Sequence, residues 1–145
     1  MPSPVTAPAP PERAAAHFAD RLAFETDCAD VHAALSCGEA DFVVIEARGP
    51  AAYARGHVPG AVNLPHGEIT EARLAGWPRD TLFVAYCAGP HCNAADRAAL
   101  SLSRLGRRVK VMAGGMAGWR EEGFDVATGG EPGALRLRSG TSAAR

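Results

Sequence analysis

No run of apolar residues in this chain approaches the ~20 that a membrane-spanning helix needs, so no contact with a bilayer is expected. Charge is equally uninformative, because 15 Lys and Arg stand against 16 Asp and Glu for a net −1. That excludes the strongly basic surface which nucleic acid or an anionic membrane would favour. No C-x-x-C pair occurs among Cys28, Cys37, Cys87 and Cys92, and their spacings match no common zinc finger. No metal and no cofactor are therefore expected. The opening MPSPVTAPAPPERAA lacks the basic start and apolar core of a secretory signal, so the expected compartment is the cytoplasm. A structural disulfide framework is not expected there. No internal repeat is visible.

What is present is one ordinary globular domain: 145 residues, 47% hydrophobic and 21% charged, enough chain to bury a core without staples. Residues 1–11 are rich in Pro and Ala and read as a flexible leader. Residues 12–128 read as the domain. Residues 129–145 are rich in Gly, Ser and Arg and read as a mobile tail with solvated arginines.

Helices and strands alternate along the domain. Glu12–Phe24 suits a helix with Phe18 and Leu22 on one side. Thr26 or Asp27 caps a second helix, carrying Val31, Ala34 and Leu35 and ending at Cys37-Gly38. Cys28 and Cys37 flank it as packing residues. Phe42–Ile45 is a compact strand, followed by Glu46-Ala47-Arg48 and a short helix, Pro50–Arg55, bearing Tyr53. The glycines and prolines of GHVPGAVNLP bend the chain around a strand at Ala61–Leu64, with His57 as a hydrogen-bonded loop residue. A helix over Glu68–Ala75 turns Ile69 and Leu74 inward. Arg108–Met112 is the last strand, and AGGMAGW leads into a final helix ending near Gly123, with Trp119 in the core. Strands alternating with helices predict an α/β fold: a central, mainly parallel sheet flanked by helices.

The centre of the chain is Thr81–Leu105. Thr81–Tyr86 is an apolar, β-favouring run suited to the interior of a parallel sheet. Cys87 falls just past its carboxyl end, where open α/β sheets place ligands. Ala88, Gly89, Pro90, His91 and Cys92 turn sharply. Asn93 is positioned as an N-cap with Asp96 completing a capping box. Ala95, Ala98, Ala99, Leu102 and Leu105 form one apolar stripe, and Gly106 stops the helix. A thiol at a sheet's rim, ringed by loop amides and facing a helix N-terminus, is expected to be held as thiolate, the nucleophilic form. A buried cysteine serving as a small hydrophobe is the alternative; the placement of Cys87 at a mouth favours function.

Three segments then resemble the rhodanese-like sulfurtransferase family: residues 43–65, VVIEARGPAAYARGHVPGAVNLP; residues 83–99, FVAYCAGPHCNAADRAA; and residues 111–124, VMAGGMAGWREEGF. Together they span about 24–127, and their order is the family's. The resemblance implies a small α/β domain whose Cys87 carries sulfane sulfur as a persulfide, cradled by residues 88–92. The implied partners are a small sulfane-sulfur donor and a thiol or cyanide-like acceptor, with a protein acceptor as an extension. Glu46 and Arg48 align with the family's acidic–x–Arg pair and are read as an ion pair supporting the loop rather than as catalysts.

Two departures bear on activity. Many family members carry a cation or hydroxyl five residues after the nucleophile; here that residue is Cys92. Losing a charge-assisted hydrogen bond, worth about 1.5–3 kcal/mol, makes thiosulfate an unfavourable donor. The loop's usual Gly falls one place early, at Gly89, and His91 reads as a solvated loop residue. Cys92 is a candidate resolving thiol for Cys87 or a residue packed under the helix start. Two alternatives to sulfur transfer follow: a redox-sensing or interaction module using Cys87 and Cys92, and, less favoured, a cysteine phosphatase. Phosphatase chemistry wants an arginine six residues after the cysteine, where Asn93 stands.

Overall fold

The computed structural model describes residues 5–137. The elements, in chain order, are α1 (Pro11–Phe24), β1 (Glu25–Asp27), α2 (Cys28–Ser36), β2 (Phe42–Glu46), α3 (Pro50–Arg55) and β3 (Val62–Asn63). After a 3-10 turn at His66–Glu68 come α4 (Glu71–Leu74), β4 (Leu82–Tyr86), α5 (Ala94–Arg104), β5 (Arg108–Ala113) and α6 (Gly115–Glu121). The five strands form one sheet in the order β1-β5-β4-β2-β3, every neighbouring pair parallel.

The period-2 geometry of β2 and β4 divides the core. Ile45, Phe83 and Ala85 face one side with Leu74 of α4 and Ala98 and Leu102 of α5. Val44, Val84 and Tyr86 face the other with Val31 of α2 and Met116 and Trp119 of α6. Covering on both faces is what lets these strands read as continuous apolar runs. Trp119 is fully buried, its indole N–H donating to the Asp125 carbonyl at 2.8 Å.

Several local expectations are corrected. Glu25–Asp27 is an edge strand against β5, which three polar residues did not announce; Asp27 nonetheless caps α2, accepting from the Asp30 amide at 2.8 Å. The helix expected over Glu68–Ala75 is broken, because Thr70 caps a new start by accepting from Arg73 N at 3.2 Å. Ile69 and Leu74 still point inward. Asn93 makes no side-chain cap; its oxygen accepts from Arg97 Nε at 3.2 Å. Cys28 packs as expected, but Cys37 is exposed.

Residues just after 128 hydrogen-bond back to the domain. Gly129 N donates to Ala54 O and Gly60 N to Pro132 O, both at 2.8 Å. The buried His57 ring joins them: Nδ1 lies 2.8 Å from Tyr53 O, and Nε2 lies 3.0 and 3.1 Å from Glu131 O and Pro132 O. Gly129, Glu131 and Pro132 are therefore tied to α3 and the loop after it; 1–4 and 138–145, parts of the expected leader and tail, lie outside the described residues. Among the described residues no helix is long and apolar enough to cross a membrane.

Candidate active site

Because β2 and β4 are neighbours in register, with Glu46 opposite Tyr86, their carboxyl ends place Glu46, Arg48 and Cys87 on one rim. The Ala47 amide donates to Tyr86 O at 2.9 Å, extending the ladder one step past both strands. Beyond Cys87 the chain curls, and Cys92 N donates to Gly89 O at 3.0 Å to close a turn over Pro90 and His91. From below, the first amides of α6 hold the loop: Met116 N donates to Cys87 O and Ala117 N to Ala88 O, each at 2.8 Å. This approach requires Gly115, whose φ is +58°; a Cβ there would sit 2.5 Å from Cys87 O and 2.9 Å from Gly89 N.

The two loop thiols differ, and the difference corrects the expectation of an exposed, ionised Cys87. Cys87 is only 3% exposed, and burial pushes its thiol up. The amides of Ala95 and Gly89 pull it back in part, while the neighbouring Cys92 thiol raises it further. Cys92 is half-buried, and its thiol is lowered, chiefly by the Ala94 amide. Against some burial, the Cys87 thiol, the Ala88 amide and the Arg48 charge lower it further. The amides at the start of α5, left uncapped by Asn93, are thus shared between two sulfurs. Cys87 Sγ also donates to Cys92 O at 3.3 Å. A depression of about 530 Å³ opens over the loop, lined by Ala88, Pro90, His91, Cys92, Asn93 and Asp96. The cradle residues expected around Cys87 are brought together, but it is Cys92 that meets solvent.

Glu46 and Arg48 form a bidentate pair, Arg48 Nε to Oε2 at 3.0 Å and Nη2 to Oε1 at 2.7 Å. Nη2 also donates to Gly56 O at 3.1 Å. Glu46 is fully buried. Burial raises its carboxyl above the usual range although Arg48 opposes this. For Arg48 burial works against the charge, and the paired carboxylate outweighs it. The pair ties the end of β2 to the loop after α3, a supporting geometry.

Sequence reasoning assigned no role to Asn63, whose amide donates to Glu46 O at 3.2 Å and Arg48 O at 2.8 Å. It also missed Tyr86, whose hydroxyl accepts from Val58 N at 2.9 Å. Asn63 lay within the quoted GHVPGAVNLP and was legible there; Tyr86 read only as a strand residue. Cys28 is a buried packing thiol, donating to Ala113 O and Gly115 O at 3.7 and 3.6 Å, with burial foremost in pushing it up to about 11. Among the described residues no cluster of three or more His, Cys, Asp or Glu could hold a metal ion.

The family model of the rhodanese-like domain matches residues 27–122. This chain belongs to the rhodanese-like domain family. The BH2092 protein of Bacillus halodurans is 31% identical with a TM-score of 0.79, over 94% of this chain and 100% of that one. A thiosulfate sulfurtransferase from Pseudomonas aeruginosa is 25% identical with a TM-score of 0.64, over 83% of this chain and 23% of that one. Among curated proteins, the HTH-type transcriptional regulator Rv0324 of Mycobacterium tuberculosis is 37% identical over 89 residues, 61% of this chain. The match spans 39% of that regulator's length. This chain is thus similar both to a protein named as a thiosulfate sulfurtransferase and to one named as a transcriptional regulator.

Proposed function

We propose that this rhodanese-like domain moves sulfane sulfur through a persulfide on Cys87. The observation that supports it best is the placement of Cys87 at the carboxyl end of β4, with the amides of Gly89 and Ala95 acting on its sulfur. The proton on Cys87 passes toward the neighbouring Cys92, whose thiol is the lowered one of the pair. The Cys87 thiolate then attacks the outer sulfur of a donor, the donor's S–S bond breaks, and the remainder leaves as a thiolate. Cys87–S–S⁻ remains, an anion suited to converging amides. A second nucleophile, a small thiol, cyanide or a protein thiolate, removes the outer sulfur and restores Cys87. This thiol chemistry suits a reducing compartment such as the cytoplasm.

Small persulfides and polysulfides fit as donors better than thiosulfate. The position that would carry a cation holds Cys92, and Arg48 is engaged by Glu46. A phosphatase reading lacks support, since Asn93 stands at the position of the phosphate-clamping arginine and its oxygen is taken by Arg97. A regulatory reading has one favouring observation, the sequence match to a protein named as a transcriptional regulator. In such a setting the same loop would report sulfane sulfur rather than turn it over.

The test is to expose reduced protein to a small alkyl persulfide and follow intact mass. Gain of one sulfur mapped to Cys87 in the Cys92→Ser protein, removed by cyanide as thiocyanate and absent when Cys87→Ser is added, is the expected result. No cyanide-labile sulfur on Cys87 of the Cys92→Ser protein would overturn the proposal.

A further inference from the structure

We propose that the Cys87–Cys92 loop is a dithiol that reduces the sulfur it captures: Cys92 attacks the Cys87 persulfide at its inner sulfur, forming a Cys87–Cys92 disulfide and releasing hydrosulfide. The inference rests on Cys87 as the sulfur carrier and adds a second outcome for the bound sulfur.

The geometry supplies the encounter. The turn closed by Cys92 N and Gly89 O folds the loop back on itself, and Cys87 Sγ touches the Cys92 carbonyl at 3.3 Å. The Cys92 side chain springs from that same residue, the two thiols act on each other, and α6 pins the Cys87 and Ala88 carbonyls. Cys92 has room, since it lines the open depression.

The chemistry selects the sulfur attacked. Exchange needs a thiolate, and Cys92 is the loop thiol lowered by the amides of Ala94 and Ala88. Attack on the outer sulfur would expel the Cys87 thiolate, a poor leaving group because burial raises that thiol. Attack on the inner sulfur instead expels hydrosulfide to the solvent. The step balances as Cys87–S–S⁻ + Cys92–S⁻ + H⁺ → Cys87–S–S–Cys92 + HS⁻. The two cysteine sulfurs are oxidised and the sulfane sulfur is reduced, so the sulfur donor is the oxidant and no other is required. An external thiol reopens the disulfide.

The experiment treats the reduced full chain anaerobically with a small alkyl persulfide. It records released sulfide, intact mass and a non-reducing peptide map for wild type, Cys92→Ser, Cys92→Ala and Cys87→Ser. Wild type should end two hydrogens lighter, with Cys87 linked to Cys92 and about one equivalent of sulfide released beyond the Cys92 variants, which hold the extra sulfur on Cys87. Wild type retaining that sulfur as long as both Cys92 variants would overturn the dithiol inference and leave the carrier reading intact. If wild type and both Cys92 variants show neither a sulfur adduct nor a disulfide, the carrier reading fails and takes the inference with it.

Discussion

The amide of Met116 donates to the carbonyl of Cys87 across 2.8 Å, so the start of α6 fixes the residue at the centre of the candidate site. That contact exists because Gly115 lets the helix begin against the loop. Two consequences separate backbone strain from loop position. Ala at Gly115 meets a positive φ and a Cβ position 2.5 Å from Cys87 O. Ala at Gly123 meets only a positive φ, with nothing within 4 Å.

Gly115→Ala should therefore destabilise by about 2–5 kcal/mol, left-handed strain plus overpacking, and should slow sulfur loading. Gly123→Ala should cost only about 1–2 kcal/mol and leave loading unchanged. Urea unfolding and mass-monitored loading of both variants check this. Equal costs with equal loading would show that the α6 contact does not hold the loop.

Removing Arg48 strands a buried carboxylate. Arg48→Ala should cost about 3–5 kcal/mol, whereas the joint Glu46→Leu and Arg48→Met replacement should recover much of it. The sign with pH follows from Glu46, whose folded carboxyl burial raises above its unfolded value of 4.5. Folding then favours the protonated form, so stability in this contribution falls as pH rises from 4.5 through the raised value. The defect in Arg48→Ala should accordingly shrink on acidification, which urea midpoints at several pH values will read.

The two loop thiols should label in the order of their ionisation. Near neutral pH, iodoacetamide should modify Cys92 faster than Cys87 or the buried Cys28, because its thiol is lowered and theirs are raised. Timed quenching and peptide mapping of the reduced protein give the rates. Cys87 labelling first would reverse the assignment of roles within the pair.

Cys28 makes stability alkali-sensitive. Its thiol rises from 9.0 to about 11, so the folded state prefers the neutral form. That contribution is fully present below 9.0 and is lost as pH climbs from 9.0 through about 11, a change of roughly 2–3 kcal/mol. Cys28→Ala should flatten this part of the curve, measured as unfolding free energy against pH.

The fold and the place of the site were legible because their causes are local. A five-residue apolar run such as Leu82–Tyr86 with a turn and a helical stripe behind it forms a strand–loop–helix wherever it is buried. The Gly-Pro bends at 56–65 likewise announced themselves. Broken helix α4 was less legible, since Thr70 as a cap competes with Thr70 as a helix residue and only the packing of Ile69 and Leu74 decides.

The sequence alone determined that Cys87 follows a buried strand, that Cys92 shares its loop, and that Glu46 and Arg48 end another strand. Only the tertiary structure decided which thiol faces water, which amides of α5 serve which sulfur, and that His57 receives Glu131 and Pro132 from 74 and 75 residues away. The reason is physical: hydrophobic periodicity is written over a few neighbouring residues, whereas desolvation and hydrogen-bond partnership depend on distant segments brought against a side chain. Cys87 carries a raised thiol because α5, α6 and the sheet close around it, and no spacing within its own loop records that.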